Sequence, residues 1–168
     1  MTAELTDPFA PQFEFAMEVR LRFRPLPKVV NMPSGGDRGM VALDGGEFDG
    51  PLLAGIALPA SGGDFCLFRS DGVLAADARY LLQEHDGSVF MLNTRGYIWG
   101  RSAEVMAKFE RIAHGLSTEQ VLPEEVYFRT MTQFEAPIGK HDWLAKHCFV
   151  GVGRRTAEGN AIRYYKVL

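Results

Sequence analysis

Polar side chains set inside apolar, alternating stretches are the residues of this sequence with the means to do chemistry. Arg79 stands mid-run in Asp77-Ala78-Arg79-Tyr80, where a guanidinium is costly unless it meets a carboxylate or an anionic or phenolic ligand oxygen. It reads either as a stabiliser of developing negative charge or as a structural partner of Asp77 or Asp64. Arg129 carries the same two readings, and because Tyr127, Arg129, Met131 and Gln133 share a face opposite Phe128, Thr130 and Phe134, it can equally point to water. Two aspartates adjoin glycine pairs: Asp44 precedes Gly45-Gly46, and Asp64 follows Gly62-Gly63. Asp44 is a candidate base, whereas Asp64 reads as a stabiliser of its own turn. Among the histidines, His141 is the candidate proton carrier, since imidazole titrates near neutral pH. Most aromatic side chains must be core; Tyr80, Trp99, Tyr127, Phe134 and Trp143 are candidate walls for a flat aromatic ligand, with Arg129 at its polar end.

The sequence has no phosphate-cradling loop, GxGxxG, GxSxG or HExxH, which leaves nucleotide binding, α/β-hydrolase chemistry and the common zinc protease site unsupported. His85, His114, His141 and His147 lack zinc-ligand spacing. Neither a metal nor another cofactor is expected, although ligands on separate strands would escape a linear scan. Cys66 and Cys148 lie in apolar runs and read as buried thiols. A catalytic pair of His147 with Cys148 is disfavoured because neighbours in a strand face opposite ways.

The elements that would position these groups are strands. Phe13, Phe15, Met17, Val19, Leu21 and Phe23 alternate with Glu14, Ala16, Glu18, Arg20 and Arg22, one long strand with a dry and a wet face. Such length suits strands steeply tilted around a barrel, and the charged face argues against lipid outside it. Further strands are predicted at 39–43, 52–58, 65–70, 73–84, 89–99, 126–134, 148–152 and 161–167. Glycine-rich breaks separate them, and Asp71-Gly72 and Asp86-Gly87 are hairpin signals for type I′ turns. They chain three strands into a meander. Closure removes exposed strand edges, so the expected fold is all-β: a closed or nearly closed antiparallel β-barrel of 8–10 strands, with an open sandwich as the alternative. One amphipathic helix is predicted over 102–114, with Ser102 as N-cap, Val105, Met106, Phe109, Ile112 and Ala113 on its apolar face, and Gly115 as its stop. A second helical turn is expected around Trp143.

At 168 residues without a linker, the chain reads as a single domain over 1–168, with 1–11 a flexible N-terminal segment. Lys and Arg total 18 against 21 Asp and Glu, for a net charge of -3. That balance gives no basic field for nucleic acid. No apolar run is long enough for a membrane helix and the N-terminus lacks a signal-peptide pattern, so a cytoplasmic protein is expected.

Five blocks, in order, are GGEFDGPLLAGIALPASGGDF from Gly45, RSDGVLAADARYLL from Arg69, HDGSVFMLNTRGYIWG from His85, YFRTMTQFEAP from Tyr127 and HDWLAKHCFVGVGRR from His141. They resemble domain of unknown function family 3237, an uncharacterised protein family. The resemblance implies a lipocalin-like antiparallel barrel, frequently dimeric, and no particular activity. The sequence departs from the family pattern at Thr132, where members carry proline, and at His141 and Ala145, where the pattern is Tyr-x-Trp-Leu-Asn. Exchanging a phenol for an imidazole beside Trp143 reads as specialisation or as drift on a surface turn. The stretch 101–125 is longer than usual and could build a lid.

Two functions from different classes follow. One is a cofactor-independent lyase or isomerase acting on a small aromatic or phenolic compound, with His141 or Asp44 as base, Arg79 holding the oxyanion and Tyr127 orienting the substrate. The other is a non-catalytic carrier or sensor using the same pocket.

Overall fold

A computed structural model describes residues 9–113 and 119–168. The expected flexible segment therefore falls largely outside the described residues, as do His114 and the helix stop at Gly115. The strands are β1 (Phe13–Pro25), β2 (Asp37–Arg38), β3 (Val41–Asp49), β4 (Gly55–Ala57), β5 (Gly63–Asp64), β6 (Leu67–Phe68), β7 (Leu74–Glu84), β8 (Val89–Gly100), β9 (Val126–Glu135), β10 (Phe149–Arg155) and β11 (Gly159–Val167). Every pairing is antiparallel, and the order β7-β4-β3-β1-β11-β10-β9-β8 closes on itself through the β7–β8 hairpin. This is the predicted closed barrel, with eight strands in the ring. Short β5 also bridges β3 to β7, and β2 and β6 flank β7 outside the ring.

Alternation places Met17, Val19 and Leu21 of β1 inside with Leu82, Leu92, Phe128 and Tyr164, all buried. Outside, Glu18 accepts both guanidinium nitrogens of Arg154 at 3.0 Å and Nε of Arg163 at 3.0 Å, tying β1 to β10 and β11. These arginines hold the Glu18 carboxyl down at about 2.

Two local expectations are corrected. Gly45-Gly46, read as a break, lies within β3, where Gly45 takes φ +109° opposite a register shift between Arg22 and Phe23. The glycine pair makes a bulge that bends a strand instead of ending it. The β7–β8 turn likewise keeps Asp86 at negative φ and gives only Gly87 (φ +89°) the left-handed conformation, so it is not type I′. Asp86 instead accepts the Ser88 N–H at 2.9 Å.

Helix α1 (Ala103–Ala113) begins as expected, with Ser102 Oγ accepting the Val105 N–H at 3.3 Å. Val105 is buried, and Phe109 and Ile112 pack on the core. The second helical turn is 3-10 and spans Asp142–Lys146, with Leu144 buried beneath it. One end of the barrel is filled: Phe134 lies at its centre, edge-on to Phe149 at 4.9 Å between ring centroids and to Phe90 and Tyr164 at 6.1 Å. The other end is open.

Candidate functional site

The open end holds a cavity of about 500 Å³ with apolar walls from Phe23, Phe68, Ile98, Phe109 and Ile112, into which Asp64, Cys66, Arg155 and Asn160 converge. Its size is that of a small-molecule pocket. The strand pattern explains each polar group. Along β10 the inward positions are Phe149, Gly151, Gly153 and Arg155, while Val150, Val152 and Arg154 face out. The same alternation that sends Arg154 to Glu18 sends Arg155 to the cavity. The two inward glycines have no spare room, since a Cβ at Gly153 would lie 2.6 Å from the Phe128 ring. Asn160 opens the inward row of β11 and accepts Arg155 Nη1 at 3.2 Å. Asp64, in two-residue β5, accepts the Asp77 N–H at 2.8 Å and so ties β5 to β7. Its expected role, stabilising its own turn, is replaced by this cross-strand bond.

Burial pushes the Asp64 carboxyl up to about 6, and the Asp77 charge adds to the rise; the Asp77 N–H and the Arg155 cation only partly oppose it. Asp64 and Arg155 sense each other without an ion pair, and among the described residues Arg155 bonds only Asn160. Arg155 meets solvent through the cavity while protein crowds it, which lowers its pKa; a guanidinium remains charged regardless. Burial raises the Cys66 thiol to about 11, so it is inert at neutral pH. Deeper in the barrel lie the hydroxyls of Tyr80 and Tyr164, buried near each other and without a hydrogen bond of good geometry among the described residues. Burial and mutual proximity raise Tyr80 well above the usual phenol value, and burial raises Tyr164 to about 12. Both stay neutral.

The predicted site residues do not meet here. Arg79 lies on the outer face of β7, where Arg95 and Arg79 flank Asp77 at 3.3 and 4.0 Å; its structural reading holds. Asp44 is exposed on the outside of β3. Trp99 and Tyr127 stack at 5.1 Å with the Arg129 guanidinium 5.5 Å from the Tyr127 ring, on the outer wall and not at the mouth. Tyr80 and Phe134 point inward, the first beneath the cavity and the second in the solid end. Trp143 packs beside Phe149 at 6.0 Å, also at the filled end. Cys148, expected to be buried, is exposed because it precedes β10 and is not within it.

His141 is buried at the filled end, its Nε2 3.1 Å from Asp86 and 3.3 Å from Glu84. Leu74 borders the cavity, and Glu84 lies about 33 Å farther along β7 at ~3.3 Å per residue. His141 is therefore remote from the cavity. Glu84, Asp86 and His141 offer three ligand atoms within 4.8 Å of one another, a grouping from separate segments that linear spacing cannot reveal. Lys140 Nζ already meets both carboxylates, at 2.9 Å from Asp86 and 3.2 Å from Glu84. Among the described residues His141 Nδ1 has no hydrogen-bond acceptor of the kind that ordinarily orients a metal-bound imidazole. The group serves as an ionic latch on the β7–β8 hairpin.

Sequence reasoning passed over Arg155 and Asn160. Carrying the β10 alternation past Val152 would have found Arg155, whereas Asn160 sat unrecognised in a glycine break.

Comparison with known proteins agrees with this architecture. UPF0311 protein RPA1785 of Rhodopseudomonas palustris is 32% identical over 133 residues, covering 79% of this chain and 82% of that protein. Its crystal structure superposes with a TM-score of 0.82 at 28% identity, covering 95% and 98% of the two chains. A β-barrel-like protein of Acinetobacter baumannii gives 0.80 at 29% identity over 97% of this chain and 99% of that one. An enzyme from Penicillium herquei gives 0.65 at 20% identity over 97% and 98%, a likeness of fold alone. Residues 11–167 match the family described as "Protein of unknown function (DUF3237)", and with barrel and relatives in agreement, the chain belongs to that family.

Proposed function

We propose that the open-end cavity is the active site of a cofactor-independent lyase or isomerase that works by acid–base chemistry on a small aromatic or phenolic compound. The observation that carries this reading is Asp64, a carboxyl raised to about 6 in an apolar cavity beside a cation that does not neutralise it. A group titrating near neutral pH can both take and return a proton. Arg155 supplies fixed positive charge for a substrate oxygen that is, or becomes, anionic, which favours elimination, retro-aldol cleavage or a double-bond shift. The base and oxyanion roles expected of His141 or Asp44 and of Arg79 pass to Asp64 and Arg155. The similar barrel from Penicillium herquei is an enzyme, and in this chain Asp64 and Arg155 are the residues that support an enzymatic reading.

The free thiols Cys66 and Cys148 suit a reducing cytoplasm. Met131 and Tyr97, exposed beside the Trp99–Tyr127 stack, give the β8–β9 outer wall a face suited to a homodimer. Aromatic compound catabolism is the corresponding role.

The test is incubation of the purified protein with a panel of aromatic catabolic intermediates, followed by product analysis. With Asp64 as base, kcat/KM rises through pH about 6, and Asp64→Asn lowers it by about 10² or more. His141→Phe leaves turnover intact while destabilising the fold. Saturable binding without product after long incubation establishes the carrier reading instead.

A further inference from the structure

The cavity's charge pattern narrows what it holds. Arg155 is the last inward residue of β10 and its guanidinium is a planar fork of five donors. One nitrogen is held by Asn160 at 3.2 Å, and no carboxylate among the described residues lies within 4.0 Å of the fork. Its neighbour Arg154 shows what such a fork does when a protein partner is available: it grips Glu18 through two bonds of 3.0 Å. Arg155 is thus oriented by Asn160 and left with its remaining donors uncommitted, in a cavity whose other lining is largely apolar.

Two carboxyls line the cavity with it, and among the described residues neither pairs with Arg155: Asp64 is turned to the Asp77 N–H at 2.8 Å, and Glu158 lies in the same lining as Lys28, a second cation. Asp64 and Arg155 line the same cavity of about 500 Å³ without forming an ion pair. Phe23, Phe68 and Phe109 with Ile98 and Ile112 give that cavity an apolar wall of the kind an aromatic ring packs on.

Resting on the reading of this cavity as the active site, we propose that its ligand is an aromatic carboxylate, bound bidentately by Arg155. A carboxylate matches the fork in charge, planarity and number of acceptors, whereas a phenol offers it only one oxygen. The ring end is placed by the aromatic wall, and the carbon framework between ring and carboxylate comes within range of Asp64.

Bound negative charge also favours the protonated form of Asp64. The charged or titratable groups around that carboxyl are Asp77 and Tyr80 of β7, Cys66, and Arg155 of β10, with Lys28 and Glu158 also in the cavity lining. Through Asp64, binding of a carboxylate takes up at most one proton and weakens as pH rises through the Asp64 range.

The experiment uses 3-phenylpropanoate and its uncharged amide as probes, with affinities read by isothermal titration calorimetry at pH 7. The carboxylate should bind the whole protein about 10- to 100-fold more tightly than the amide. Arg155→Met should abolish that preference, Arg155→Lys should retain part of it, and Asp64→Asn should preserve it while removing proton uptake. Circular dichroism checks that each variant is folded. Equal affinity for the two probes, a preference that survives Arg155→Met, or no binding of the carboxylate overturns the proposal. Turnover of a neutral phenol that Asp64→Asn abolishes, without carboxylate preference, would remove the anionic ligand while leaving the acid–base reading in place.

Discussion

Asp64 occupies a position that costs the fold stability once its carboxyl ionises. Its carboxyl is raised from the usual value of 3.8 to about 6 when folded, so the folded chain holds a proton that the unfolded chain has released. Stability is therefore unaffected well below pH 4, falls as pH rises between about 4 and 6, and stays reduced above that range. Asn cannot ionise and its amide oxygen can still accept the Asp77 N–H. Asp64→Asn should therefore gain about 1–3 kcal/mol relative to the parent between pH 4 and pH 7, in urea unfolding at the two pH values. A pH-independent difference would mean that the carboxyl is solvated. A stabilising substitution that removes activity is the mark of a functional residue. Arg79 is the contrast: paired with Asp77 on the outer wall, it holds charge where water already screens it.

At the scale of elements, the hairpins and the helix fix the mouth's shape. The β7–β8 hairpin sets the register that turns Tyr80, Leu82 and Leu92 inward, and its tight turn depends on Gly87 at φ +89°, where a side chain would meet nothing within 4 Å. The substitution Gly87→Ala therefore isolates backbone strain and should cost about 1–2 kcal/mol in thermal or urea unfolding. Ligand binding should be unchanged, because the turn lies at the filled end. Helix α1 brings Phe109 and Ile112 to the cavity wall. Strand existence was legible because hydrophobic alternation is written locally. The paired glycines at 45 and 46 misled because glycine marks both turns and bulges, and only pairing with β1 distinguishes them.

At the scale of the whole molecule, the outer wall is stitched by charge. Glu18 of β1 joins Arg154 and Arg163, while Arg20 joins Glu47 and Asp49. Glu18, held near 2 against an ordinary 4.5, contributes stability that is present above about pH 4.5 and lost as pH falls towards 2. With its partners half-exposed, that contribution is about 1–2 kcal/mol. Glu18→Gln should lower the unfolding free energy by that amount at pH 7 and by little at pH 2.5, measured by chemical denaturation. Equal losses at both pH values would assign the effect to packing.

The sequence by itself determined that this chain is all-β and antiparallel with one capped helix, and favoured a closed or nearly closed barrel over an open sandwich, since alternation, turn residues and caps act over a few positions along the chain. It also named the family through blocks that span most of the barrel. Only the tertiary structure decided which of two amphipathic faces became the inside. On β8 and β9 both faces carry aromatic residues, so Trp99, Tyr127 and Arg129 could be placed outside, and Phe134 inside, only when the ring closed. The site itself joins Asp64 of β5 to Arg155 and Asn160 of the β10–β11 hairpin, far apart along the chain. Burial, and not the identity of the aspartate, raises the Asp64 carboxyl, and burial is a property of the assembled barrel.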